Sequence, residues 1–433
     1  MIGLRVVACL VVQSLVFMSC HAQNTKRKQA DLVEDTPTPE CMSVIKRAYQ
    51  MTDLCFTPLD SFVANPNKSY LYGEYYKGMV YSSVKETCQF VGLDVSLHTF
   101  MTAMHNPRSV MYTENVSKLP YHGHNCGAFY GTVCSAFVTY ALGMKIHVKT
   151  YDYPRSRFFE LVEDQSSNSI RLADIINSGG HVQLVTGIRR DRKTGKVVDM
   201  EICEAVQSGS RRITLTSKEL DGKLKNGKRK IYRYKYLEDV RYKTKTKTVF
   251  VASEGEQPTP FKYNEAICTS RGDKACYVAG DSVTLNLFEQ CKTLEIYRDS
   301  ALYRTIRVGK DSDIVVKGLP YGDYKARVVS DCNKKSDYTY WKVIDTHVKL
   351  DTINKKVYFS SKNATPVYLE FSTLSGGRPT SGVFELPQED IRKGWVDVSS
   401  YMSQGVKAKA RFLKVHFECE YGRVINKPVK WKK

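Results

Sequence analysis

Cys134 and His181 are a thiol and an imidazole, the pair of side-chain types that nucleophilic attack by sulfur on a carbonyl requires. A thiolate is a strong nucleophile, and an imidazole within reach takes and later returns the proton that the reaction moves. Cys134 stands in the run Gly131-Thr132-Val133-Cys134-Ser135-Ala136-Phe137-Val138-Thr139-Tyr140-Ala141-Leu142-Gly143. Phe137, Val138 and Ala141 recur at helical spacing, and Gly143 stands where a helix-ending glycine belongs. The pattern predicts a buried helix with Cys134 in its first turn, where unpaired N–H groups and the positive end of the dipole stabilise a negative sulfur. A packed core thiol fits the same stretch, because free cysteine is among the most buried residue types.

The elements that must carry a base are legible downstream. Ile170 to Ile176 reads as a strand ending at the turn Asn177-Ser178-Gly179-Gly180. A second strand runs from His181 to Ile188, a charged turn from Arg189 to Lys196, and a returning strand from Val197 to Ala205. Antiparallel pairing about that turn puts Glu204 within about two residues of the position opposite His181. A carboxylate there holds the imidazole in one tautomer and stabilises its charged form. Taken singly, His181 reads as a structural histidine and Glu204 as a solvated strand end. The order helix-start cysteine, strand-start histidine, polar residue on the next strand favours a catalytic set.

That order carries a family resemblance. Gly131-Thr132-Val133-Cys134-Ser135-Ala136-Phe137-Val138 resembles the nucleophile motif of the NlpC-type, papain-like cell-wall cysteine peptidases. Ala173-Asp174-Ile175-Ile176 followed by Gly180-His181-Val182-Gln183-Leu184-Val185-Thr186-Gly187 is similar to the family's strand with the catalytic histidine. Ile202-Cys203-Glu204-Ala205 falls where the family places its third polar residue, usually His, Asn or Gln. Lys77-Gly78-Met79-Val80-Tyr81 is similar to the segment upstream of the nucleophile, although Ser82-Ser83 stands where the family has Gly-Gly. The resemblance spans about residues 75–210. It implies Cys134 as nucleophile, His181 as base and Glu204 as orienting residue, with Tyr81, Ser82 and Ser135 lining the substrate site. It further implies a thioester acyl-enzyme, no metal or cofactor, and peptidoglycan stem peptides as substrate. The stretch between Tyr81 and Cys134 is longer than usual, and it reads as a cap or an altered cleft that sets specificity.

The remainder of the chain bounds that reading. At 433 residues it exceeds a single core. Arg5 and the apolar run Val6 to Met18 read as an export signal too short to span a bilayer. Phe17-Met18-Ser19-Cys20 reads as a loose lipobox with Cys20 lipidated, and Cys20-His21-Ala22 as an alternative cleavage site. The expected organisation is a signal over 1–22, a linker over 23–40, an α+β papain-like (NlpC-type) catalytic domain over 41–250, and all-β immunoglobulin-like sandwich domains over 251–345 and 346–433. Short strands from Ser282 onward support the sandwiches, and Leu319-Pro320-Tyr321-Gly322-Asp323-Tyr324 resembles the turn before a late immunoglobulin strand. The 13 cysteines include no CxxC pair, so neither a metal ribbon nor a dense disulfide scaffold is expected. Cys268 with Cys276, and Cys291 with Cys332, are conceivable bridges in an oxidising compartment.

The net charge of +20 favours anionic partners. Half of it lies between Arg211 and Lys247, which holds 14 Lys or Arg against four Asp or Glu. Following an export signal, that stretch reads as a solvated face attracted to peptidoglycan or another anionic envelope polymer, and nucleic acid is not an expected partner. His122, His124 and Cys126 have ligand-like spacing, but on a loop they read as substrate-pocket or structural residues. Arg271-Gly272-Asp273 reads as a chance tripeptide. The expected protein is an exported monomer of the periplasm or cell envelope, with a possible lipid tether at Cys20. Two other functions stay open: an envelope lipoprotein whose papain-like domain is inactive and serves binding or structure, and an amidase or acyltransferase with a different substrate.

Overall fold

The computed structural model describes residues 31–65, 68–82, 89–114, 131–238, 263–309, 313–372, 383–399, 401 and 410–430. The signal segment with Cys20 and the His122, His124 and Cys126 group lie outside the described residues.

The N-terminal unit is an antiparallel sheet covered on both faces. Its strands are β1 (Leu32–Glu34), β2 (Phe159–Leu161), β3 (Ile175–Asn177), β4 (Val182–Asp191), β5 (Val197–Val206), β6 (Gly209–Thr216) and β7 (Lys230–Tyr234), in the order β6-β5-β4-β3-β7-β2 with β1 added to β4. The strands alternate, as a sheet buried on both sides requires. Val182, Leu184, Cys203 and Ala205 join the core beneath the helices, whereas Ile176, Val185, Met200 and Ile202 pack beneath Leu220 and Leu224 on the other face.

The long helix α1 (Pro39–Thr52) starts where Thr38 accepts the N–H of Cys41 and Pro39 occupies the first turn. It buries Val44, Ala48 and Met51. Two short helices follow, α2 (Leu97–Met104) and α3 (Val110–Thr113). Helix α4 (Cys134–Ala141) has every residue buried and lies against α1. Arg47 of α1 donates from Nε to the carbonyl of Ala141 at 2.7 Å, capping the negative end of α4 with a cation. Gly143 then turns the chain at φ +66°. Helix α5 (Ser217–Lys225) begins with a capping box between Thr216 and Glu219 and covers the far face.

The expected linker over 23–40 needs correction at its end. Leu32–Glu34 forms β1 and pairs with Arg189, Arg190 and Asp191, and Arg190 binds Asp35 at 2.8 Å. β3 pairs only with Val182–Leu184, so the far end of β4 on that side keeps free hydrogen-bonding groups, and the incoming chain takes them.

The remainder is two β-sandwiches. The first joins β8 (Ile267–Thr269), β10 (Val283–Leu287) and β13 (Asp313–Val316) in one sheet. Its other sheet orders β12 (Ala301–Arg307), β11 (Thr293–Arg298), β14 (Gly322–Val329) and β15 (Thr339–Asp351), with β9 (Ala275–Val278) parallel to β15. Trp341, Tyr324, Leu285 and Ile296 fill the space between. Tyr324 donates its hydroxyl to the carbonyl of Pro320 at 2.8 Å, so the turn read from the sequence is a tyrosine corner.

In the second sandwich, β15 continues beside β16 (Lys356–Lys362) and β19 (Trp395–Asp397). The facing sheet orders β18 (Val383–Glu385), β17 (Thr365–Ser372), β20 (Phe412–Glu418) and β21 (Arg423–Ile425), with β22 (Val429–Lys430) against β20. The expected boundary at 345/346 falls inside β15, which serves both sandwiches as one continuous strand.

The stretch between Tyr81 and Cys134, expected as a cap or an altered cleft, is over its described part 89–114 a platform on which the sandwiches dock. Asn106 donates to Asn286 at 2.7 Å and to the carbonyl of Thr269, the amide of Val110 donates to Ser270, and His98 meets Asp273 at 2.8 Å. Asp273 also accepts the amide of Tyr340, so the Arg-Gly-Asp tripeptide is committed to packing. Towards the second sandwich, the carbonyl of Asp94 accepts the amide of Arg423 at 2.9 Å.

Candidate active site

Three backbone segments meet at the start of α4. Tyr81 pairs with Thr132 in a parallel bridge, Thr132 donates to Val80 at 2.9 Å, and Ser82 donates to Thr132 at 2.9 Å. Gly131 is required there, because a Cβ at that position would lie 2.1 Å from the carbonyl of Val80. Ser210 of β6 donates to Met79 at 2.8 Å, and Gly78 passes so close to Ser210 that a Cβ would lie 1.9 Å from its carbonyl. Arg211 lies opposite Glu204 across β5 and β6. The backbone thus ties the lead-in to Cys134, the Tyr81 segment and the Glu204 strand into one corner.

His181 sits just before β4, half-exposed, between the thiol of Cys134 and Glu204. Its Nε2 lies 2.8 Å from Oε2 of Glu204. The same ring is also close enough to the Cys134 thiol for that group to act on its titration. The hairpin register is Leu184 opposite Cys203, which puts Gln183 beside Glu204 one step on. Gln183 donates to Oε2 of Glu204 at 2.6 Å, and Arg211 donates from Nε to Oε1 at 2.9 Å. Arg229 binds the side-chain oxygen of Gln183.

The electrostatics follow from these contacts. Burial by itself would lower the His181 value, but hydrogen bonds to Cys134 and Glu204 outweigh it and raise the imidazole to about 9. Burial would raise Glu204, yet His181, Gln183 and Arg211 hold its carboxyl down at about 2. At neutral pH the centre of the site is therefore a charged imidazolium beside an ionised carboxylate. Val133 stands at the N-cap of α4 and makes no side-chain cap bond, so the N-cap residue itself does not occupy the helix-start N–H groups beside Cys134.

The other expected site residues fall differently. Tyr81 borders the corner, half-buried against the helix-side core. Ser135 is buried, and its hydroxyl lies 2.8 Å from Nε2 of His147. Ser82 is buried too, and its hydroxyl has no hydrogen-bond partner among the described residues. Both serines, like Cys134 itself, are buried where the helix and the Tyr81 segment pack.

Gln183, Arg211 and Arg229 escape a reading of the motifs. The signal for Gln183 is its position two residues after His181, and for Arg211 its place opposite Glu204 in the next hairpin. Tyr153 has no such signal. It is buried, stacks edge-on to Phe159 with ring centres 4.7 Å apart, and its hydroxyl has no partner among the described residues. Burial, and then the nearby Cys134, push its phenol above the ordinary range. Two open grooves of about 540 and 400 Å³ gather around Arg171 and Arg233, and neither is lined by Cys134, His181 or Glu204.

No protein-family model matches the chain, and no curated protein is significantly similar to it. Among solved structures it is similar to the fibronectin(III)-like modules of CbhA from Clostridium thermocellum, at 14% identity and a TM-score of 0.19, covering 38% of this chain and 90% of that one. It is also similar to the BSP domain of a biofilm-associated protein, at 10% identity and a TM-score of 0.16, covering 62% of this chain and 44% of that one. A third likeness is to three N-terminal domains of the outer capsid protein Hoc of bacteriophage RB49, at 14% identity and a TM-score of 0.16, covering 38% and 57%. The sandwich description stands on the strand pairing itself.

Proposed function

We propose that this protein is an exported cysteine hydrolase of the papain-like, NlpC-type kind that cleaves amide bonds in peptidoglycan stem peptides. The observation that carries the reading is the chain of contacts from Cys134 through His181 to Glu204. Cys134 attacks the carbonyl as the thiolate, and its proton resides on His181. The anionic oxygen of the tetrahedral intermediate is met by the backbone N–H of Cys134 at the uncapped helix start. His181 passes its proton to the leaving amine, which leaves a thioester on Cys134. The same imidazole then takes a proton from the incoming water. Glu204 keeps the ring in place and charged, a role the family usually gives to His, Asn or Gln. The sandwiches hold this unit against envelope polymer, to which the net charge of +20 is attracted.

The test is mass spectrometry of muropeptides after incubation with the full chain and with Cys134→Ser. New fragments from the wild type alone support the reading. Identical profiles for the two remove the cell-wall substrate.

A further inference from the structure

We infer that Cys276 and Cys419 are a site of covalent modification, a disulfide that locks the two sandwiches together. Their sulfurs lie 3.0 Å apart. Forming the bond closes that gap by only about 1 Å, to the usual length of about 2.05 Å. Both positions are fixed by backbone bonds. Cys276 lies within β9, opposite Lys342 of β15. Cys419 follows β20, and its amide donates to Gly422 at 2.8 Å. The pair joins residues 143 apart in sequence, one from each sandwich, at the place where β15 passes from one to the other. This replaces the sequence-based pairings: Cys276 faces Cys419 instead of Cys268, and the sulfur of Cys332 contacts Ser330 at 3.1 Å.

The surroundings suit thiol–disulfide exchange. The hydrogen bond between the two sulfurs and burial hold Cys276 well above the ordinary thiol value, and the same bond, with the amides of Tyr421 and Gly422 and the charge of Lys342, holds Cys419 below it, so Cys419 is the one poised to take up Cys276's proton. Cys276 is the more exposed of the two. Its sulfur attacks a disulfide oxidant such as oxidised glutathione, losing a proton, forming a mixed disulfide and releasing one thiol. Cys419 passes that proton to water and, as the thiolate, attacks the Cys276 sulfur and expels the oxidant's second half as a thiolate. Two protein thiols are oxidised by two electrons, and the oxidant is reduced to two thiols.

The inference is independent of the catalytic reading, and its test uses no substrate. The full chain is incubated with oxidised glutathione, denatured in N-ethylmaleimide and digested with trypsin. The expected result is a linked pair of the peptides 275–292 and 415–423, with the protein lighter by about 2 Da and the link abolished by prior reduction. Because peptide 275–292 also holds Cys291, Cys291→Ser should keep the link and Cys276→Ser should lose it. Recovery of Cys276 and Cys419 as alkylated thiols or separate glutathione adducts overturns the proposal, as does a link that survives Cys276→Ser but not Cys291→Ser.

Discussion

At the scale of single residues, the site is defined by which partner each titratable group faces. His181 has its value raised, so its contribution to stability is present in full below the ordinary 6.5 and is lost as pH rises through about 9. Glu204 has its value lowered, so its contribution is present above the ordinary 4.5 and is lost as pH falls through about 2. For the proposed hydrolase, kcat/KM should fall on the alkaline side near pH 9, as His181 gives up the proton meant for the leaving amine. Glu204→Gln should move that limb towards the ordinary histidine range, and an unmoved limb would separate it from His181. A thiol-reactive substrate analogue provides a second measure. It should label wild-type Cys134, and His181→Ala should slow labelling by roughly 10²- to 10⁴-fold. Equal rates for the two proteins would reduce Cys134 to a packed core thiol.

At the scale of elements, precision comes from close backbone packing. Gly131 and Gly78 let three segments approach where any side chain would collide with a carbonyl. Gly131→Ala should therefore push the Tyr81 segment from the start of α4, at a cost on the order of 2 kcal/mol or more. Slower labelling of Cys134 and earlier melting of the N-terminal unit should follow together. Labelling at the wild-type rate would mean that the corner tolerates the displacement.

Across the whole molecule, a buried polar cluster fastens the units. Arg423 is 1% exposed and pairs with Glu418 at 3.1 Å, with Asp94 of the docking platform at 4.0 Å. Beside it Glu370 meets His416 at 2.8 Å and Lys414 at 3.1 Å. Charges this deep stabilise little as a set, but losing one member strands the others, which costs about 3–5 kcal/mol. Arg423→Met should accordingly lower the melting temperature and open 89–114 to proteolysis. Adding Asp94→Asn and Glu418→Gln should restore part of the loss, because it removes the stranded charges. A triple variant no better than Arg423→Met would place the effect in packing.

How much of this was legible beforehand differs by region. Local rules sufficed for the helix of Cys134, the hairpin of His181 and Glu204, and the tyrosine corner, because spacing, turn residues and two-residue periodicity act over a few neighbours. The same rules placed Glu204 near His181, since a hairpin register is fixed by its turn. They did not reach the docking of the platform 89–114 or the pairing of Asp94 with Arg423, because those partners lie more than 150 residues apart. They do not give the burial of Ser82 and Ser135, which depends on what packs above them. The basic stretch from Arg211 read as a solvated face, yet Arg211, Arg212 and Arg233 pair with Glu204, Asp53 and Asp174. By itself the sequence determined the candidate groups and the elements that carry them, because both are written in residue type and period. Only the tertiary structure decided which charge meets which, and that Cys276 finds Cys419, because contact between distant segments is a property of the packed chain.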